Sequence, residues 1–175
     1  GYLNTNHNWS KNTITLYTRV LNEYIAGVPF PDNVTSQAIH RRVINTCWNW
    51  GIKNNLVINH KKLVGDTKGL SRHRTYSKEE ISIMFDEVEP LEFNLFVQFA
   101  YYTGARSGEI RSISRENVFS ESLVVHGKTG KRIIKLNGQA QDIIHNQKVL
   151  WDYNRDYVSH KFKKEVRRLS IKNAR

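Results

Sequence analysis

Two positions carry residue types that could act on a phosphate. Arg106 lies in Thr103-Gly104-Ala105-Arg106-Ser107-Gly108-Glu109-Ile110, directly after an apolar run that stops at a glycine. That pattern ends one helix and opens the next. It holds a guanidinium at the surface beside unpaired helix N–H groups, and both favour a phosphate. Lys128 stands in Gly127-Lys128-Thr129-Gly130, between two β-prone runs. Two glycines let the backbone approach a ligand and leave the lysine free to reach it. Taken singly, each also reads as an ordinary solvated charge. Glu109, one helical turn beyond Arg106, suits orienting that arginine or packing better than proton transfer. His126 alternates with strand residues and reads as structural rather than as a base.

Helices and one hairpin must position these groups. Asn12 can cap a first helix carrying Leu16, Val20 and Tyr24, which Gly27 stops. Thr35 or Ser36 can cap a second, with Ile39, Val43, Ile44, Cys47 and Trp48 on one side and an end at Gly51. Trp48 and Trp50 read as packing between helices, with base stacking the alternative. Between Gly65 and Tyr76 apolar residues nearly vanish and Lys68, Arg72, His73 and Arg74 cluster, which predicts a basic linker over 65–76. Ser77 with Glu80 then forms a capping box, followed by Ile81, Met84, Phe85 and Val88 at helical spacing. The dense apolar stretch from Leu91 to Tyr102 predicts a buried central helix, and a short helix carrying Ile110 and Ile113 follows Arg106. Leu123-Val124-Val125 and Ile133-Ile134 predict the two strands of a β-hairpin. A helix near residues 140–144 comes next. The last helix is basic, with Val158, Phe162, Val166 and Leu169 as its apolar stripe. The fold class expected is α+β: mostly α with a small antiparallel sheet, divided into 1–64, a linker over 65–76, and 77–175.

Composition narrows the partners. The formal net charge of +11 over 175 residues makes a polyanion the first candidate, because each cation that meets a phosphate releases condensed counterions. A soluble basic protein with no such partner is the bland alternative. Acidic residues are scattered without a ligand-like cluster, which disfavours a metal-dependent nuclease; no metal or cofactor is expected. One cysteine, Cys47, cannot form an intrachain disulfide and reads as a buried thiol. No apolar run approaches the roughly 20 residues that span a bilayer, and no secretion signal opens the chain. The expectation is a cytoplasmic, nucleoid-associated protein.

Taken in order, the apolar helix, Thr-Gly-x-Arg-x-x-Glu, the first strand, the lysine-bearing turn and the strand ending Ile134-Lys135-Leu136 resemble the tyrosine recombinase (phage integrase) family. More weakly, residues 44–50 with Asn54-Asn55-Leu56-Val57 resemble the last helix and exit of its core-binding domain. The resemblance implies a helical core-binding domain over 1–64 and part of the catalytic domain over 77–175. It also implies site-specific DNA recombination or integration of a mobile element, by metal-free transesterification through a 3′-phosphotyrosine. Arg106 and Lys128 would be catalytic and Glu109 supporting. Duplex DNA carrying a recombination site would be the partner, bound by a multimer.

The departures are as informative. In the family a His/Arg motif and then the nucleophilic tyrosine follow the basic helix, and nothing after Arg168 supplies them. Tyr101, Tyr102, Tyr153 and Tyr157 are better explained by packing. The first domain also looks short by a helix. The expectation is a chain that binds DNA with an incomplete cleavage site; the alternative is a non-catalytic sequence-specific or architectural DNA-binding protein. Lys68, Arg72, Arg74, Lys131, Arg132, Lys161, Lys164 and Arg168 are the candidate DNA contacts. Lys161, Lys164 and Arg168 are expected on one outward face of the last helix.

Overall fold

The computed structural model describes residues 2–5, 8–69, 74–127 and 130–172. Two compact units divide the chain, Gly1–His73 and Arg74–Arg175.

In the first unit, helix α1 (Lys11–Ile25) packs on α2 (Val34–Lys53). The caps are Ser10 and Asn33, each two residues earlier than Asn12 and Thr35 suggest, because these side chains accept from the Thr13 and Ser36 N–H groups. Nor does Gly51 end α2. The helix runs on to Lys53, and Gly51 is buried with Val57 so close that a Cβ would lie 3.3 Å from a Val57 methyl. Val20, Val43 and Ile44 form the core, with Leu16, Tyr17, Ile39, Trp48 and Leu63 around them. Trp48 stacks on His60 and Trp50 meets Tyr2, so both indoles are packed within the unit. Asn45 exchanges two hydrogen bonds with the Leu63 backbone and fastens the segment that follows α2. Cys47 is half-buried, and burial pushes its thiol up.

The second unit is built round α4 (Leu91–Thr103), whose Phe93, Phe96 and Phe99 are buried. Helix α3 (Lys78–Glu87) begins with both hydrogen bonds of the expected Ser77–Glu80 capping box. Three residues earlier, Arg74 pairs with Glu80 at 2.6 Å and lies over the Tyr76 ring. Buried Asn94 donates to the Phe85 and Val88 carbonyls and so closes the end of α3. Helix α5 (Ser107–Arg111) is shorter than expected, and Ile113 lies beyond its end. Strands β1 (Ser122–Gly127) and β2 (Gly130–Lys135) pair antiparallel from Ser122↔Lys135 to Gly127↔Gly130. Helix α6 (Gly138–Asn146) and helix α7 (Arg155–Arg168) complete the described residues of the unit. Its core joins Phe93, Phe99, Ile110, Leu123, Ile144, Trp151 and Val166. The α+β class expected from the sequence is the class found.

The basic helix α7 buries an acid among its cations. Glu165 falls inside the apolar stripe, only 3% exposed, and a buried carboxylate must be paired. Lys161 reaches its Oε1 at 2.8 Å, Arg168 reaches Oε2 at 2.9 Å, and the Glu89 N–H adds a third donor. Arg168 also donates to the Glu87 carbonyl. Lys161, 19% exposed at its side chain, and Arg168, 41% exposed, both bond the acid, and Lys163, Lys164 and Arg167 are exposed as well. Burial raises the Glu165 pKa, but the Lys161 and Arg168 hydrogen bonds outweigh it and hold the carboxyl at about 2. That stabilisation is complete above the ordinary value of 4.5 and is lost as pH falls toward 2. Glu165→Gln should destabilise the chain by about 3 kcal/mol at pH 7. The gap to the unsubstituted chain should narrow between pH 4.5 and about 2, read by urea unfolding across that range.

Candidate functional site

The turn that presents Arg106 is assembled from its own residue types. The Thr103 hydroxyl donates to the Phe99 carbonyl and accepts from the Ala105 N–H, closing α4. Gly104 takes φ +60°, the left-handed conformation a glycine adopts without a Cβ penalty. Ala105 is buried, and Arg106 follows in extended conformation as the residue that opens α5.

Glu109 anchors this arginine twice. Its Oε2 accepts from the Arg106 backbone N–H at 2.8 Å, and its Oε1 from the guanidinium NH1 at 2.9 Å. The contrast in exposure decides what each can do. The Glu109 side chain is 3% exposed and that of Arg106 is 74%. A buried acid thus grips an arginine whose remaining donors face solvent, where a phosphate could be met in bidentate fashion.

Arg132 has a partner that sequence reasoning missed. Expected as a contact to the DNA backbone and 42% exposed at its side chain, it places NH2 2.8 Å from Glu109 Oε2 and Nε 3.4 Å from Oε1. The same NH2 is 3.4 Å from the Gly104 carbonyl. The reason is strand parity. Arg132 is opposite Val125, and its alternation partners Ile134 and Leu136 are buried, so it sits on the core-facing side of the hairpin. An inward cation must find an acid, and alternation was the signal that could have revealed it. The hydrogen bonds from Arg132, then that from the Arg106 backbone N–H, hold the Glu109 carboxyl at about 2 despite its burial.

The end of β1 comes to the same place from the other side. A Cβ built on Gly127 would lie 2.7 Å from Glu109 Oε1, closer than real Cβ contacts occur. Glu109 therefore touches the strand end from which the Lys128 turn departs. Lys128 itself, like Arg72, lies outside the described residues. Lys131, His126 and Lys68 are exposed. Lys131 lies with Ile133 and Lys135 on the strand face opposite Arg132. An apolar cleft of about 520 Å³ lies among α3, α4 and α7, lined by Met84, Phe85, Phe96, Tyr101 and Phe162, and none of Arg106, Glu109 or Arg132 lines it. Tyr153 packs against Phe93 and Phe96, and burial pushes its phenol up. Among the described residues no group of three His, Cys, Asp or Glu side chains could hold a metal ion, and no helix is long and apolar enough to cross a membrane.

No protein-family model and no curated protein matches the sequence. Solved structures do share the fold. The chain is similar to a lambda integrase dimer, residues 75–356, bound to a COC′ core site (TM-score 0.70, 15% identity, 94% of this chain and 74% of that one). It is similar to the same lambda integrase fragment bound to DNA (TM-score 0.69, 15% identity, 94% and 74%). A lambda integrase tetramer bound to a Holliday junction gives a TM-score of 0.61 at 18% identity over 77% of this chain, which spans 46% of that one.

The close approach of Gly127 to Glu109 predicts a specific sensitivity. Gly127→Ala should destabilise the chain by about 1–3 kcal/mol, because the carboxylate it strikes is pinned by two arginines. Gly138→Ala, where nothing lies within 4 Å, should be nearly neutral. Thermal melts of the two variants side by side measure the difference.

Proposed function

We propose that the chain belongs to the tyrosine recombinases and supplies the arginine–lysine half of their strand-cleaving site. The observation that carries the reading is Arg106, exposed yet gripped by buried Glu109 beside the root of the Lys128 turn. The fold shared with lambda integrase in DNA-bound crystal structures supports it. So does the order of Thr103-Gly104-Ala105-Arg106, Glu109 and the lysine-bearing hairpin along the chain.

In this reading a tyrosine hydroxyl attacks the scissile phosphorus of duplex DNA. The new bond is a 3′-phosphotyrosyl ester, and the bond that breaks releases a 5′-oxygen. Arg106 holds a non-bridging oxygen and stabilises the charge that gathers in the crowded transition state. Lys128 gives a proton to the departing 5′-oxygen, since an alkoxide is a poor leaving group. Glu109 keeps the guanidinium in place and moves no proton; a carboxyl held at about 2 is ionised at neutral pH and has none to give. Exposed Lys68, Lys131, Lys163, Lys164 and Arg167 are cations available to the flanking phosphates. The active form is a multimer on DNA, in keeping with the tetramer on a Holliday junction that shares the fold. It works in the DNA-containing compartment of the cell.

The first test is binding. Affinity for a short duplex should fall steeply with salt, with a log–log slope of about −5 if some six phosphates are contacted. The second is chemistry, in the protein as encoded. A nicked duplex should trap a covalent 3′ adduct, and Arg106→Ala and Lys128→Ala should each lower its yield by about 10²-fold or more while duplex affinity changes little. Tight duplex binding without any adduct would mark a binding module, and adduct yield unchanged in Arg106→Ala would remove that residue from the site.

A further inference from the structure

We propose that Arg132 is a positioning residue for Arg106, acting through Glu109, and not a contact to the DNA backbone. The inference rests on the function proposed above and adds a member to the same site.

Three observations converge on it. The first is geometry. Arg132 meets Glu109 with both Nε and NH2, a two-pronged approach of the kind that fixes a carboxylate in plane as well as in place. The same NH2 leans on the Gly104 carbonyl, in the turn that carries Arg106. One side chain of β2 therefore ties the hairpin to both parts of the arginine's mount. The second is burial. Glu109 is 3% exposed, whereas Arg106 projects outward at 74% and offers it a single guanidinium nitrogen. A carboxylate so far out of water needs more than that, and Arg132 supplies it.

The third is charge. Glu109 paired with Arg106 alone would be a neutral dipole, a poor lure for a phosphodiester. With Arg132 on the other side the cluster holds two cations and one anion, and the surplus positive charge lies toward solvent, where Arg106 is 74% and Arg132 42% exposed. Arg132 thus leaves Glu109 free to hold Arg106 without cancelling it. A lysine could supply the charge but not the planar fork.

The test uses the protein as encoded, with Arg132→Met, Arg132→Lys, Glu109→Gln and the double variant Arg132→Met/Glu109→Gln. Three readouts are needed: the rate of covalent adduct formation on a nicked duplex, the salt slope of duplex binding, and the Nε–Hε NMR resonance of Arg106 in the DNA-free protein. Arg132→Met should slow adduct formation by between about tenfold and 10²-fold, as a misplaced catalytic group does, and should shift or broaden the Arg106 resonance. Its salt slope should stay unchanged. Arg132→Lys should recover part of the rate, and it carries the same measurements if Arg132→Met does not fold. The double variant should be no slower than the slower single one, because both remove one linkage.

A salt slope smaller by about one unit with an unmoved Arg106 resonance would overturn the proposal, since that is how a lost phosphate contact behaves. Additive rate losses in the double variant would overturn it as well. An Arg106 resonance that moves in a protein forming no adduct supports the positioning geometry, and it is then the recombinase reading that fails.

Discussion

Glu109 is a carboxylate that has given up nearly all its water, and everything that makes the site follows from what it needs in return. Burial of an ionised acid is strongly unfavourable unless opposite charge and hydrogen-bond donors replace the lost hydration. Donors come from two elements. Arg106 contributes its backbone N–H and one guanidinium nitrogen, and Arg132 contributes two more from across the hairpin. Gly127 contributes the space in which the carboxylate sits. Remove the acid and two arginines lose the partner that brings them together. Retain it, and the start of α5, the turn after α4 and the Gly127 end of the hairpin are held against one another.

The same device occurs a second time, at Glu165. There too an acid with almost no exposure lies between two cations and accepts a backbone N–H from a different element. The difference is instructive. Both cations at Glu165 come from its own helix, and the more exposed of them, Arg168, also donates to the Glu87 carbonyl, so the cluster fastens α7 to the end of α3. At Glu109 one cation is local and the other arrives from a strand, and the local one projects into solvent. The first arrangement is a staple. The second can meet a ligand, because its outward guanidinium is rooted in the fold and has little freedom to lose on binding.

Sequence identities of 15–18% to the DNA-bound lambda integrase structures, with TM-scores of 0.61–0.70, show a shared path of the backbone. Along that path this chain has a set of constraints that build a mount for an arginine. These are a helix closed by a threonine and a glycine, an acid three residues beyond, and a hairpin whose turn begins at a residue without a Cβ. Each has a local physical reason visible in this structure, independent of any relative.

Local patterns determined most of the architecture in advance. The Ser77–Glu80 capping box, the apolar run of α4, the stop at Gly104 and the two strands are readable because each depends on neighbours within a few residues. Arg106 and Glu109 could be paired for the same reason, being one turn apart. Cap positions slipped by two or three residues at α1 and α2, since several polar side chains in a row could serve and only the backbone chooses. Tertiary structure alone decided which cations are free. Arg132, Lys161 and Arg168 look in the sequence like members of one basic surface. Yet each is drawn to an acid whose burial is set by packing across elements, from 23 residues away in one case and from beneath an apolar stripe in the other. Charge is written in the sequence; whether it is already neutralised depends on what the fold buries next to it.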